Sequence, residues 1–298
     1  MAETSYQLER VEALIEGGDP VDLAGSRALC REITSRAGSS FGVGIRLTPS
    51  RCRDGMHALY AWMRLADDAA DAEAPADRRR GLLDRFEQKT EAALRDEPEA
   101  CSVWPAVAGA VREHGLDGDW LRALLAGVRQ DLEPIAFERE AELGEYCDRV
   151  AGNVGRCCVA IWGVRDGAHR EGALALAGMR GRAFQLINIA RDIEEDARAG
   201  RRYVPSERLG RLGVCVGDRA VRDDLLREGM DLLESSRPLE GLVRRDAGPA
   251  LWAMTRAYTL IAHRLRGPGG SVTLGSGAKL GIAAGAIGRR VLAAGRLA

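Results

Sequence analysis

An all-α fold is predicted by three features of this 298-residue chain. Its apolar-periodic stretches are built chiefly from Ala, Leu, Arg and Glu, residues that enter a helix at little cost. Runs in which Val, Ile or Thr alternate with polar residues, the mark of a half-buried strand, are scarce. Between Pro134 and Pro205 no proline interrupts the chain, leaving room for several buried helices of ordinary length. Pro49, Pro75, Pro98, Pro105, Pro238, Pro249 and Pro268 punctuate the rest and fall between apolar-periodic stretches. No linker composition appears before the C-terminal region and no repeat of solenoid length recurs, so residues 1–298 are read as a single domain.

Composition excludes several classes of function. The 43 basic and 44 acidic side chains nearly cancel, so no global field draws the protein to nucleic acid or to an anionic membrane. The seven cysteines, at 30, 52, 101, 147, 157, 158 and 215, include no CxxC pair. With no signal-peptide pattern at the start, a reducing, cytoplasmic setting is expected. Cys157 and Cys158 are read as small core residues rather than a reactive pair. His57, His114, His169 and His263 are too scattered for a histidine metal site, and no apolar run approaches the ~18 residues that span a bilayer.

Taken in chain order, the first informative element is ALYAWMRLADDAADAE, residues 58–73. As a helix it aligns Tyr60, Arg64, Asp67 and Asp71 at spacings of 4, 3 and 4, with Asp68 alongside. The second is QLINIARDIEEDARAGRRY, residues 185–203, where Gln185, Asn188, Asp192 and Asp196 form a polar stripe opposite Phe184, Ile187 and Ala190. Like charges four apart on a helix repel by roughly 0.2–0.5 kcal/mol, so something must offset each pair. One stripe alone reads as a solvated face. Two together suit oxygen ligation of Mg²⁺ through one or two carboxylates each, the rest of the shell coming from water and a substrate phosphate. Arg64, Arg191, Arg201 and Arg202 then become candidate phosphate partners, although Arg202 reads equally well as a plain surface residue. Near the end, GPGGSVTLGSG (267–277) is read as a flexible loop, since no strand precedes it and no GKS or GKT closes it. The basic apolar segment 278–298 is read as packing back on the core, with peripheral contact at the inner membrane face as the alternative.

ALYAWMRLADDAADA, YCDRVAGNVG (146–155) and AFQLINIARDIEEDARAGRRYVP (183–205) together resemble the squalene/phytoene synthase family, in order, from about residue 28 to 265. The resemblance implies an isoprenoid synthase helical bundle around a central apolar cavity, with two DxxxD motifs facing across it. It implies that Asp67 and Asp71 ligate Mg²⁺ (or Mn²⁺) on one wall and Asn188, Asp192 and Asp196 on the other, Gln185 being the amide beside the second cluster. Arg64, Arg191, Arg201 and Tyr203 match positions that bind diphosphate or close over it. Tyr60 and Tyr258 match aromatic positions near the reacting chains, and Phe41 the aromatic of an early SxSF-like motif. Gly152, Val154 and Gly155 match a small-residue helix lining the cavity. The segment AGSSFGVGIRLTP departs from the family by its glycines and its lack of aromatics after Phe41.

The implied reaction is head-to-head condensation of two prenyl diphosphates. GVRQDLEPIAF followed by YCDRVAGNVG resembles bacterial presqualene diphosphate synthases of hopanoid pathways, favouring farnesyl diphosphate and a presqualene diphosphate or squalene-type product. Phytoene formation from geranylgeranyl diphosphate is the alternative. NADPH is not indicated, and no protein partner is identifiable. A non-catalytic isoprenoid-binding or assembly protein of the same fold would be expected to lose carboxylates from one pair, and all four are present.

Overall fold

The computed structural model describes the backbone of residues 2–36, 41–267, 278, 281–282 and 285–286; the side chains of residues 2–7, 41 and 43 lie outside that description. In chain order the elements are α1 (Ala2–Glu16), α2 (Leu23–Arg36), α3 (Phe41–Leu47), α4 (Ser50–Ala70), α5 (Ala76–Leu94), α6 (Trp104–His114) and α7 (Gly118–Gln130), then β1 (Ile135–Ala136), α8 (Glu140–Cys147), a π turn (Asp148–Gly152), α9 (Asn153–Trp162) and α10 (Arg170–Arg198). There follow β2 (Arg201–Arg202), α11 (Ser206–Leu212), α12 (Arg219–Ser235), α13 (Leu239–Leu242) and α14 (Gly248–Arg266). The prolines mark helix starts as expected: Pro75, Pro205 and Pro238 sit at N-caps, and Pro105 and Pro249 in first turns, where a missing N–H costs no helical bond. Contacts group the chain into two compact units, Met1–Gly38 with Ser50–Glu133, and Ser39–Pro49 with Pro134–Ala298.

In the first unit α4 is the central helix, touching α1, α2, α5, α6 and α7. Its alanines and large apolar residues are buried on nearly every side; Asp54 near its start pairs with Arg31, and its last turns present Asp67 and Asp68. The Trp62 ring lies 5.4 Å from Phe86, which lies 5.2 Å from Trp104, so three fully buried rings pin α4, α5 and α6 together. Trp62 Nε1 donates to Thr90 Oγ1 at 2.9 Å, which removes the cost of burying that polar end. His57, also on α4, has a buried Nδ1 with no hydrogen-bond partner in the described structure, and desolvation holds its pKa below the ordinary 6.5. Below that value the unfolded chain takes up a proton that the folded protein refuses, so stability falls as pH drops through the window beneath 6.5. His57→Gln is expected to flatten this decline, measured as urea midpoints at about pH 7.5 and about pH 5. An unchanged slope would locate the acid sensitivity elsewhere.

In the second unit α10 holds the centre, with α9, α12 and the π turn as its main neighbours. The side chain of His169 accepts from Gly172 N at 3.0 Å and caps the helix. Close crossings are made by glycine. A Cβ on Gly155 would stand 2.2 Å from Ala177 O, and one on Gly181 would stand 2.0 Å from Ala151 O. Cys157 and Cys158 are buried core residues, as expected. β1 and β2 pair in parallel with Ile135 opposite Arg201, a contact too short to leave a strand signature in the sequence.

Beside this pair, buried Arg208 binds Glu140 at 2.8 and 2.6 Å and Glu228 at 2.6 Å, and stands 3.6 Å from buried Asp224. It thereby ties α8, α11 and α12. Arg208→Met is expected to destabilise by about 2 kcal/mol, less than the 3–5 kcal/mol of a wholly buried pair, because both glutamates are partly solvated and Asp224 keeps Arg211 and Arg227. Denaturant unfolding of the variant checks the value.

The glycine-rich loop, apart from Gly267, lies outside the described residues. Of the tail, Ile282 and Ala286 are buried, and a Cβ on Gly285 would come within 2.7 Å of the Trp252 ring, so the described tail residues pack back on α14. No helix among the described residues is long and apolar enough to cross a membrane.

Candidate active site

On α4 the acidic stripe occupies the C-terminal turns that the core leaves open. Tyr60 is buried, while Arg64 and Asp67 are exposed. Arg64 reaches Asp68 at 2.6 Å, an i,i+4 pair that answers part of the charge problem posed by three acids within five residues. Asp67 is the perturbed acid: desolvation, then repulsion from Asp71 one turn on, push it up to about 7. Its surface is still open to solvent, which moderates the desolvation, whereas the repulsion from Asp71 stands on the spacing alone.

On α10 the stripe Gln185, Asn188, Asp192 and Asp196 is half-buried along its whole length, unlike the exposed Glu194 and Glu195 beside it. Arg191 grips Asp192 with two bonds of 2.7 and 2.6 Å, and Arg201 stands 3.6 Å from Asp196. Arginine therefore offsets the repulsion here too. Asn188 Nδ2 donates weakly to Gln185 Oε1 at 3.4 Å, but Asn188 Oδ1 is buried and accepts no hydrogen bond in the described structure. An orphaned oxygen in line with two carboxylates is what an oxygen-liganded hard cation takes. No three His, Cys, Asp or Glu side chains among the described residues converge as a ready-made metal cage. The donor set thus fits an ion that draws part of its shell from a phosphate-bearing ligand.

Two sets of aromatic rings pack in the same unit as this stripe. Tyr258 stacks on Phe184 at 4.0 Å between centroids, nearly parallel. Tyr203 is buried, stacks on Tyr146 at 4.8 Å and lies 6.0 Å from Phe137. Tyr146 and Phe137 escaped the sequence reading; Tyr146 opens the quoted YCDRVAGNVG, and the signal it offered was that motif. Arg202, left open between two roles, is spent on structure: it donates to the carbonyls of Phe137 and Val204 and pairs with Glu138 at 3.1 Å. Its removal from the phosphate candidates follows from those bonds.

Gly155 needs a correction as well. Its missing side chain points at the α10 backbone, so close helix packing explains the glycine, and the expected cavity lining does not. Gly152 is buried, and a Cβ there would meet Asp148 Oδ1 at 2.4 Å within its own turn, while the Gly181 crossing abuts its Cα. Val154 is half-buried on the same element. Phe41 opens α3, but its side chain lies outside the described residues.

The model of squalene/phytoene synthases matches residues 34–282, most of the chain and all of the site just described. The chain belongs to the squalene/phytoene synthase family. Among its relatives in the family are a presqualene diphosphate synthase from Rhodopseudomonas palustris, 36% identical over 62% of this chain and 64% of that protein, and one from Zymomonas mobilis, 38% identical over 65% and 66%. The chain thus spans a little under two thirds of the length of these synthases. A 15-cis-phytoene synthase from Synechococcus elongatus is 32% identical over 77% of this chain and 80% of its own length. Among solved structures of the family, a squalene synthase from Alicyclobacillus acidocaldarius superposes with a TM-score of 0.73 at 25% identity, covering 82% of this chain and 94% of that one. A ligand-bound dehydrosqualene synthase gives 0.79 at 23% identity over 89% and 96%, a likeness of fold.

Proposed function

We propose that the protein is a prenyltransferase that condenses two allylic prenyl diphosphates head to head, with Mg²⁺ held by Asp67 and Asp71 on α4 and by Asn188, Asp192 and Asp196 on α10. The observation that carries this reading is the α10 stripe, where Asn188, Asp192 and Asp196 stand one turn apart, the Asn188 oxygen is orphaned, Arg191 grips Asp192, and Arg201 of β2 stands beside Asp196. Mg²⁺, or Mn²⁺ in its place, supplies charge neutralisation at the departing diphosphate when bound. Arg191 and Arg201 exchange carboxylate for phosphate oxygens, which guanidinium binds in the same bidentate geometry. As the first substrate's C1–O bond breaks, diphosphate leaves with the electron pair and an allylic cation remains. The second substrate's double bond attacks that carbon, and loss of a proton closes a cyclopropane. The rings of Phe184 and Tyr258, and those of Tyr146 and Tyr203, offer the cation aromatic faces and keep water from quenching it.

Farnesyl diphosphate is the favoured substrate, because the presqualene diphosphate synthases at 36–38% identity exceed the phytoene synthases at 31–34%. The phytoene synthases match over more of the chain, and kcat/KM for farnesyl against geranylgeranyl diphosphate decides between the two. Calorimetry tests the metal scheme. Mg²⁺ alone is expected to bind weakly, and tightly only when diphosphate is present, because no cage of carboxylates is preformed. Submicromolar Mg²⁺ affinity in the free protein would mean a structural metal instead.

A further inference from the structure

Between α8 and α9 the π turn is held by a polar network that lies outside the acidic stripes. At its end the backbone N–H of Asn153 bonds the carbonyl of Asp148, five residues back, so the Arg149 carbonyl loses the donor it would have in an α-helix. The buried Asn153 side chain supplies a replacement, its Nδ2 donating to Arg149 O at 3.1 Å. Asn153 Oδ1 accepts from Arg156 Nη1 at 2.7 Å, and Arg156 also grips Asp148 with two bonds of 3.1 and 2.9 Å. One guanidinium thus joins the first residue of the π turn to the first residue after it. Two glycines make room for it. A Cβ on Gly178 of α10 would stand 2.6 Å from Arg156 Nη2, and one on Gly152 would stand 2.4 Å from Asp148 Oδ1 and 3.3 Å from Arg156 Nη1.

We propose that Arg156, acting with Asp148 and Asn153, is a positioning residue for the reaction: it fixes the register of the π turn and so aims Tyr146 at Tyr203. A π turn carries one residue more than an α-helical turn and frees a carbonyl, so it persists where other groups satisfy that carbonyl and brace the turn. Were α8 and α9 to run on as one α-helix, every residue of α8 would rotate by about 100° relative to α9. Gly155 holds α9 against the α10 backbone, so α8 is the part that would turn. Tyr146, two residues before the π turn, would then leave its stack on Tyr203. Arg156 acts through Tyr146, its own guanidinium lying against Gly178 and Asp148. Only the role of the tyrosine pair, an aromatic face for the allylic cation, rests on the proposed condensation. That cation exists after ionisation and not in the bound substrate, so misplacing the face lowers kcat and leaves KM nearly unchanged.

With five tyrosines in the chain, fluorine NMR of the full protein labelled with 3-fluorotyrosine reads the register directly, the two resonances of interest being assigned by Tyr146→Phe and Tyr203→Phe. Arg156→Met is expected to move both resonances and to leave those of Tyr60 and Tyr258 in place. With farnesyl diphosphate and Mg²⁺, its kcat is expected to fall about tenfold, the loss of one cation–aromatic contact, while KM stays within about twofold. Asn153→Ala, which removes the carbonyl cap and keeps the ion pair, is expected to act in the same direction more weakly, and it decides the question should Arg156→Met fail to fold. Unmoved resonances, a wild-type kcat, or a loss of kcat/KM carried by KM would overturn the proposal. If the resonances move but the wild-type protein forms no C30 product, the positioning of Tyr146 stands and the proposed reaction falls.

Discussion

With prenyl diphosphate and Mg²⁺ supplied, Asp192→Ala and Asp67→Ala are each expected to lower turnover by about a thousandfold or more while the protein stays folded. The size follows from the role: each carboxylate anchors charge that neutralises diphosphate as it departs, and removing one such preorganised group from a transition state costs about 4 kcal/mol. Stability separates the two variants. Asp192 is bound bidentately by Arg191, so its loss frees a guanidinium and stabilises nothing. Asp67 is different. Its folded-state pKa is raised from 3.8 to about 7, so between those values the folded protein holds a proton that the unfolded chain gives up. Stability is therefore lost as pH rises through that window. Asp67→Asn is expected to raise Tm, and to raise it more at about pH 8 than at about pH 5, while turnover collapses. Thermal scans at both pH values check the sign. A variant that keeps wild-type turnover would remove Asp67 from the metal site.

Gly181→Val is expected to destabilise by more than about 3 kcal/mol, above the usual 1–3 kcal/mol of overpacking. The added Cβ would stand 2.0 Å from Ala151 O and 2.9 Å from Gly152 Cα. Backbone atoms cannot rotate away as a side chain can, so α10 and the π turn must separate. The π turn itself marks where α8 and α9 change register to bring Gly152 and Gly155 against α10. Urea unfolding gives the value, and near-wild-type stability would mean the crossing is looser than these distances.

The acidic stripes were legible because helical periodicity alone puts residues four apart on one face, and α4 and α10 carry them as read. Their arginine partners were half legible. Arg64 and Asp68 stand at helical spacing, but Arg191 and Asp192 are adjacent in sequence, a separation at which helix neighbours do not face each other; a long side chain folds back to make the pair. The cluster of Phe137, Tyr146 and Tyr203 joins segments far apart in the chain, and only the β1 and β2 pairing brings Phe137 beside Tyr203. Small residues at Gly152 and Gly155 read correctly as small, yet composition cannot say whether the space beside a glycine holds a ligand or another helix. For Gly155 it is a helix.

Head-to-head joining of two identical prenyl chains is tested most directly by mixed isotopes. Protein, Mg²⁺ and equal amounts of light and fully deuterated farnesyl diphosphate are incubated, and the apolar and diphosphate products are resolved by mass spectrometry. Light, mixed and heavy forms of one C30 product are expected, with the mixed form about twice as abundant as either pure form, and none of it from Asp192→Ala. Products of C15 mass alone, in light and heavy forms with no mixed species, would show that the site ionises or hydrolyses a single substrate and would contradict the condensation.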